Sequence, residues 1–305
     1  MLEDFLKKFF IHCYSMNLQQ NTISSYESKL KVFQNYIKGR DDVNCVDDIT
    51  SDVIRDFLSF SRKRVSKATV KHYYNTLNIF FKFLVKNKII SENIIDDITK
   101  PKVPKRDIRS FSNSEINIIL KHFDKNDFVG FRNYAIMTTL FGTGMRISEL
   151  CNLQAVDVMF ELNAINIIGK GDKQRKVPMS ETLRKILLKY FKIRNEYIDK
   201  HRLNQSRHFF ITRNTTPMTR DNVEWIFIKI KRDYNLQGDR FSPHTFRHTF
   251  AKNYLLNGGE IFSLQKILGH SKIETTKKYI ALNDQEVKIQ NDKFNPLDNP
   301  KWQYY

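Results

Sequence analysis

Two prolines divide the sequence. Pro101 and Pro104 stand among Lys100, Lys102, Lys105 and Arg106. Proline fixes φ and removes a backbone donor, so neither a helix nor a strand interior runs through this stretch. It reads as a basic linker, residues 101–110, between a first domain at 1–100 and a larger one at 111–290, with a tail at 291–305. Such a chain has to build two separate cores rather than one.

The first of these cores is helical. Leu2, Phe5, Leu6, Phe9 and Phe10 follow the helical period, and Ile23, Tyr26, Leu30, Phe33 and Ile37 repeat it after Asn21, which reads as an N-cap. Ser51 reads as the cap of a third helix carrying Ile54, Phe57 and Leu58. Val70, Tyr73, Leu77, Phe80, Phe81 and Leu84 make one apolar stripe that ends near Ile90. Stripes of this kind face a core. Beyond the linker, Ser112-Asn-Ser-Glu115 is a capping box before Ile116, Ile119 and Leu120. Helices are predicted around 128–141, 146–153, 181–199, 219–233, 244–256, 260–268 and 271–279. Ile165 to Ile168 and Lys176 to Pro178 read as two strands joined by a hairpin turn at Gly169-Lys-Gly-Asp172. The fold class is mostly α with a small antiparallel β-sheet.

Composition narrows the function. Apolar residues make up 41% of the 305, with 24 Phe and 13 Tyr, so the chain is not disordered as a whole. It has no apolar run long enough to span a membrane, and Asp4, Lys7 and Lys8 break the only apolar stretch where a signal peptide would lie. Cys13, Cys45 and Cys151 fit neither a metal spacing nor a disulfide framework, which points to a cytoplasmic protein. Lys and Arg number 51 against 33 Asp and Glu, a net charge of +18. Residues 1–103 carry 17 basic against 12 acidic residues, and residues 104–305 carry 34 against 21. A basic excess shared by both parts suits a protein that grips a polyanion with two domains better than one with a single basic tail.

Five separated pieces carry chemistry. Gly142-Thr-Gly-Met-Arg146-Ile-Ser-Glu149 places an arginine just after a glycine-broken helix end, and Lys170 sits on a hairpin tip. His244 and Arg247 lie at i and i+3, on one helix face. Leu268-Gly-His270-Ser ends one helix and opens another, at whose far end, nine residues on, stands Tyr279. Each piece alone has a bland explanation: a helix cap, a solvated turn lysine, a structural pair, a core tyrosine. Together they match what phosphodiester transfer to a side chain needs. Two guanidiniums can bind the non-bridging oxygens that gain charge in the transition state. A phenol can hold the phosphate as an ester, provided cations or an acceptor offset its reference pKa of about 10. A lysine can protonate the leaving 5′-oxygen, and histidines can donate to the phosphate or accept the phenol proton. The scheme requires no cofactor and no metal.

The set resembles the tyrosine recombinase (phage integrase) family, which carries Arg, Lys, His-x-x-Arg, His or Trp, and Tyr in this order. The flanks agree too: Thr143-Gly-Met-Arg-Ile-Ser-Glu-Leu, Ser242-Pro-His-Thr-Phe-Arg-His-Thr-Phe-Ala, and Leu268-Gly-His-Ser followed by Thr275-Thr and Tyr279. The resemblance is strong over 130–285 and holds by pattern alone before that. It implies an N-terminal helical domain that binds the DNA core site and an α+β catalytic domain. It assigns Arg146 and Arg247 to the scissile phosphate, Lys170 to the 5′-oxygen as general acid, His244 to proton transfer and phosphate binding, and His270 to a hydrogen bond with the phosphate. Tyr279 becomes the nucleophile that forms a 3′-phosphotyrosine, and Glu149 a structural acid beside the site. His248 follows Arg247 directly and is read as pointing to another helix face.

The partners so implied are double-stranded DNA recombination sites and, in the synaptic complex, a homotetramer, with accessory DNA-bending proteins as further candidates. With about a hundred residues before the linker, the chain resembles the compact Xer-type members. Gly258-Gly-Glu-Ile-Phe-Ser and Lys293-Phe-Asn-Pro-Leu-Asp instead look closer to integrases and transposases of mobile elements. A type IB topoisomerase would share the chemistry but not the flanks, and an RNA-binding protein would explain charge and aromatics but not the ordered residues. Ile280, Leu282, Val287, Phe294, Pro296, Leu297 and Trp302 in the tail need burial, either on their own subunit or on a neighbour.

Overall fold

The structure is a computed structural model, and residues 2–104, 109–169, 174–236, 241–277, 279 and 284–295 are described. The chain divides into two compact units, 1–106 and 107–305.

The first unit is built on four helices, α1 (Leu2–Ser15), α2 (Gln20–Lys38), α3 (Ser51–Arg62) and α4 (Lys67–Lys86). Their apolar stripes meet in one cluster, in which Phe9 contacts Phe80 edge-on and Phe33 meets Phe57. Two helix starts differ from the sequence reading. Asn21 lies inside α2, which begins at Gln20, and the oxygen that caps α3 is the Thr50 hydroxyl, accepting from the Val53 amide, with Ser51 as the first helical residue. A side-chain oxygen caps equally well from either of two adjacent positions, so only the backbone path decides between them. After α4 the chain stays attached: Ile95 and Ile98 are buried, and the Tyr74 hydroxyl donates to the Ile98 carbonyl at 3.0 Å.

The second unit begins with α5 (Asn113–Lys121), capped by the Ser112–Glu115 box, followed by α6 (Phe128–Thr143) and α7 (Ile147–Asn152). A three-stranded antiparallel sheet follows, β1 (Val158–Met159), β2 (Ala164–Ile168) and β3 (Gln174–Pro178), in the order β1-β2-β3. β1 is too short to leave a period in the sequence and was not expected. Ile165 pairs with Val177 and Val158, so one face of the sheet is apolar and buried. Then come α8 (Glu181–Lys200), α9 (Arg220–Asp233), α10 (Pro243–Leu256), α11 (Ile261–Leu268), α12 (Ile273–Lys277) and α13 (Asp284–Phe294). Among the described residues, no helix is long and apolar enough to cross a membrane.

α6 is apolar on most sides and packs against α8 and α10. This burial fixes α10, the helix that carries His244 and Arg247. Phe246, fully buried between them in sequence, touches Phe111, Phe141 and Phe227, so the inward face of α10 is held by aromatic contacts while its neighbouring face stays open. The Thr249 hydroxyl also accepts the Phe111 amide at 2.8 Å, tying the start of the unit to the same helix.

α13 packs on its own chain. Lys252 pairs with Glu286 at 2.5 Å, and the Gln290 amide donates to the Leu256 carbonyl at 2.7 Å. Lys293 donates to the Asn257 carbonyl at 3.1 Å, so α13 satisfies the carbonyls orphaned at the end of α10. These contacts are polar, and the two described apolar residues of the tail, Val287 and Phe294, stay exposed; Ile280 and Leu282 lie outside the described residues. Pro296, Leu297 and Trp302 lie outside the described residues.

Truncating Phe246 to alanine should lower the unfolding free energy by about 3–5 kcal/mol, the usual cost of a buried aromatic. Urea denaturation of the full chain measures it, and a loss below about 1 kcal/mol would show that α10 is not held by this cluster.

Candidate active site

The site starts at the end of α6. Gly144 caps that helix with φ 61°, the left-handed region, and a side chain there would run into Phe250. The reversal delivers Arg146 to the N-cap of α7 with its side chain 37% exposed, so one guanidinium reaches solvent while its base is fixed. Glu149, three residues on, accepts the Arg146 backbone amide at 2.7 Å and the Arg146 Nη1 at 2.8 Å.

The same carboxylate receives a second arginine. Arg175 on β3 donates Nη1 and Nη2 to the two Glu149 oxygens, both at 2.8 Å, and its Nε to the Ile267 carbonyl at 2.8 Å. Burial would raise the Glu149 pKa, but the hydrogen bonds from Arg175 and Arg146 hold it down at about 2. One buried carboxylate thus joins the α6–α7 turn, the turn end of the β2–β3 hairpin and the end of α11. Gly269, at φ 66°, closes α11 and leaves room for the Arg175 side chain, which a Cβ there would approach to 3.0 Å.

Arg247 is 5% exposed. Its Nη1 donates to the Gly144 carbonyl and its Nη2 to the Leu268 carbonyl, both at 2.7 Å, and Nη2 also lies 2.8 Å from His270 Nε2. Burial, then the nearby Arg146 charge, lowers its pKa to about 10. A guanidinium only donates, so His270 Nε2 accepts. The His270 proton therefore sits on Nδ1, 2.8 Å from the buried Thr276 hydroxyl.

Tyr279 lies two residues beyond α12, not at the end of a helix running from Ser271, which instead begins at Ile273. Its amide donates to the Thr276 carbonyl at 2.9 Å, a turn that brings the ring inward to 7% exposure. The ring lies nearly parallel to His270, 14° at 6.3 Å, and the phenol oxygen is 3.1 Å from His248 Nδ1. Burial pushes the phenol pKa up, against the pull of Arg247 and Arg146. His244 stands at the N-terminal end of α10 with part of its side chain in solvent, its pKa lowered by partial desolvation and then by Arg220, Arg247 and Arg146.

Arg146, His244, Arg247, His270 and Tyr279 are thus brought to one place. Lys170 lies outside the described residues, although the strands on either side of its turn are described. His248 does not point elsewhere as the sequence suggested: it is one turn past His244, at i+4, on the same face. Arg175 also escaped notice. Its signal was a charge two residues before the buried Val177, on the inward side of a strand whose Gln174 and Lys176 face solvent.

Replacing Arg175 by alanine leaves Glu149 buried with half its partners and should cost about 3–5 kcal/mol. The Glu149 pKa is depressed in the folded state, so its stabilisation is present above the unfolded value of about 4.3 and is lost as pH falls toward about 2. In Arg175→Ala the Glu149 pKa is less depressed, so the acid loss of stability from this group should be smaller and should end at higher pH than in wild type. Urea midpoints between about pH 2 and 7 test this, and superimposable acid limbs for the two proteins would remove Glu149 from that role.

Comparison with known proteins places this geometry in a lineage. Residues 109–286 match the phage integrase family, and residues 2–88 match the phage integrase, N-terminal SAM-like domain. The chain is 30% identical over 302 residues to tyrosine recombinase XerD of Listeria monocytogenes serotype 4b, covering 97% of this chain and 98% of that one. It is 29% identical over 283 residues to tyrosine recombinase XerC of Pediococcus pentosaceus, covering 91% and 92%. Among solved structures, XerA recombinase is similar with a TM-score of 0.54 and 27% identity, covering 97% of this chain and 99% of that one. The Tn1549 transposon integrase in complex with circular intermediate DNA shares the fold with a TM-score of 0.73 at 22% identity, covering 95% and 98%. Full-length similarity to the Xer proteins, and the match of both domains, establish that this chain belongs to the phage integrase family and is a tyrosine recombinase.

Proposed function

We propose that the protein cleaves and rejoins duplex DNA at specific sites, in the cytoplasm, through a 3′-phosphotyrosine at Tyr279. The observation that carries this is the Tyr279 phenol, buried beside the Arg247 guanidinium, with Arg146 reaching solvent on the same side. Arg247, held by two backbone carbonyls, and Arg146, held by Glu149, are fixed before substrate arrives, which is the arrangement that stabilises a pentavalent phosphate. His270 is oriented by Thr276 and turned toward Arg247, and its contact with the same phosphate requires Nε2 to take up a proton when the phosphate replaces Arg247 as its partner. His244 assists phosphate binding and proton transfer from the open end of α10. Lys170 protonates the leaving 5′-oxygen.

Four such subunits on two duplexes carry out the exchange, with accessory DNA-bending proteins where the sites require them. The segment from Gly258 and the ending from Lys293 favour an integrase or transposase that inserts and excises a mobile element. Resolution of chromosome or plasmid dimers is the second reading, favoured by similarity to XerD along 97% of the chain. Recombination assays with DNA flanking this gene separate the two: inverted repeats that circularise support the first, and a single resolved site supports the second.

Wild-type protein should form a denaturant-resistant adduct on a nicked suicide substrate, in EDTA and without ATP, and Tyr279→Phe should form none. Arg146→Ala and Arg247→Ala should bind DNA yet cleave about a hundred- to a thousand-fold more slowly, each losing about 3–4 kcal/mol of transition-state stabilisation. An adduct from Tyr279→Phe would remove the nucleophile assignment.

The acid assignment has its own test. A 5′-bridging phosphorothioate leaves without a proton, so Lys170→Ala should regain cleavage on it while Arg146→Ala should not. Equal failure of both variants would take Lys170 out of that role.

A further inference from the structure

His248 is not one of the residues that the family pattern assigns, yet it touches the reacting atom. Its Nδ1 lies 3.1 Å from the Tyr279 phenol oxygen, and the two rings are 5.5 Å apart. The direction of that hydrogen bond follows from the neighbours. Arg247 and Arg146 act on the phenol as cations, and a guanidinium has no acceptor, so neither can take the phenol hydrogen. The phenol hydrogen then has to point to another partner. His270 is not that partner, because its Nε2 accepts from Arg247 and its Nδ1 is bonded to Thr276. The acceptor is His248 Nδ1.

We propose that His248 is a catalytic residue, the general base that takes the Tyr279 proton during cleavage and returns it during rejoining. This rests on the recombinase reading above. In cleavage the Tyr279 oxygen bonds to phosphorus as the bond from phosphorus to the 5′-oxygen breaks. The phenol proton passes to His248 Nδ1, and the 5′-oxygen takes a proton from Lys170. In rejoining the 5′-hydroxyl gives its proton back to Lys170 as it attacks phosphorus, the bond from phosphorus to the Tyr279 oxygen breaks, and the His248 imidazolium protonates the departing phenolate. The two proton transfers are served by separate groups. The arrangement also answers a physical need: a phenol buried to 7% exposure does not ionise unaided near neutrality, and a nearby base removes that obstacle only as the new bond forms.

The charged and titratable groups around this pair come from several elements. Arg247, His244 and Lys252 share α10 with His248, and Lys252 is paired with Glu286 of α13. Arg146 stands at the α6–α7 turn with Glu149 behind it, Arg175 reaches in from β3, and His270 follows α11. Two of these are other histidines, so the pH profile has to be read in variants.

The experiment is single-turnover cleavage across pH, by the full-length protein, on a suicide duplex with a 5′-bridging phosphorothioate. That leaving group needs no acid, so the profile reports the phenol side alone. His248→Asn places an amide oxygen near the Nδ1 position, which accepts a hydrogen bond but cannot take the proton. His248→Ala removes both functions. Wild-type cleavage should fall at low pH. His248→Asn should cleave about a hundred-fold more slowly or worse near neutrality, lose that acid limb, and gain rate as the phenol ionises at high pH. Thermal melts and DNA binding should match wild type for His248→Asn, the variant on which the proposal stands if the alanine fails to fold. Wild-type rates in His248→Asn would show a positioning role and overturn the base. An acid limb that survives in it belongs to His244 or His270 and would do the same. Absence of any adduct from wild type would overturn the recombinase reading first, and this proposal with it.

Discussion

The Glu149 carboxylate is the joint on which the site depends. It is 7% exposed, and it carries Arg146 on one side and Arg175, in a two-pronged contact, on the other. An isolated buried carboxylate would be costly, and this one stays charged because two guanidiniums and a backbone amide compensate it. The compensation is also geometric. Arg175 brings β3, and through its Nε the end of α11, to the turn that presents Arg146. Three segments far apart in sequence are held by one charge cluster, and only segments so held can aim side chains at a single phosphorus. Removing Arg175 leaves the buried carboxylate with half its hydrogen bonds, and removing Glu149 leaves Arg175 without its charge partner.

Arg247 shows the same economy with backbone groups. It hangs from the carbonyls of Gly144 and Leu268, the first just after α6 and the second at the end of α11. Both helices stop at a glycine in the left-handed conformation, Gly144 and Gly269. A left-handed cap turns the chain away, and the carbonyls exposed by that turn become acceptors for a buried cation. The guanidinium is therefore charged, desolvated and immobile before any ligand arrives, so that little reorganisation is left for the reaction. The docking of α13 on the end of α10 supports this helix from its other end, by supplying Gln290 and Lys293 to carbonyls that would otherwise face solvent.

How much of this was legible depended on whether the signal was local. The stripe from Val70 to Leu84, the Ser112–Glu115 box and the glycine before Arg146 all act within a few residues, and each was read correctly. The start of α3 was read one residue late, because Thr50 and Ser51 are chemically equivalent as caps. β1 went unseen because two residues cannot show a period. Within the site, Arg146, His244, Arg247, His270 and Tyr279 were singled out by their order and flanks, as was Lys170, which lies outside the described residues. His248 was set aside on an argument about helix faces that its i+4 distance from His244 should have corrected. Arg175 was passed over because its partner, Glu149, is 26 residues away.

The sequence by itself determined the elements, the two-part organisation at the prolines, the basic charge of both parts and the identity of the groups available for phosphoryl transfer. These follow from periodicity, cap chemistry and residue type, all short-range properties. Tertiary structure decided which nitrogen faces which oxygen. It turned Tyr279 inward past the end of α12 and set its phenol against His248. It spent both His270 nitrogens on Arg247 and Thr276, and it gave Glu149 two arginines rather than one. Those outcomes depend on packing between α6, α10, α11 and β3, where hydrogen bonds are made only when distant backbones come within about 3 Å, and no local pattern in the chain encodes that distance.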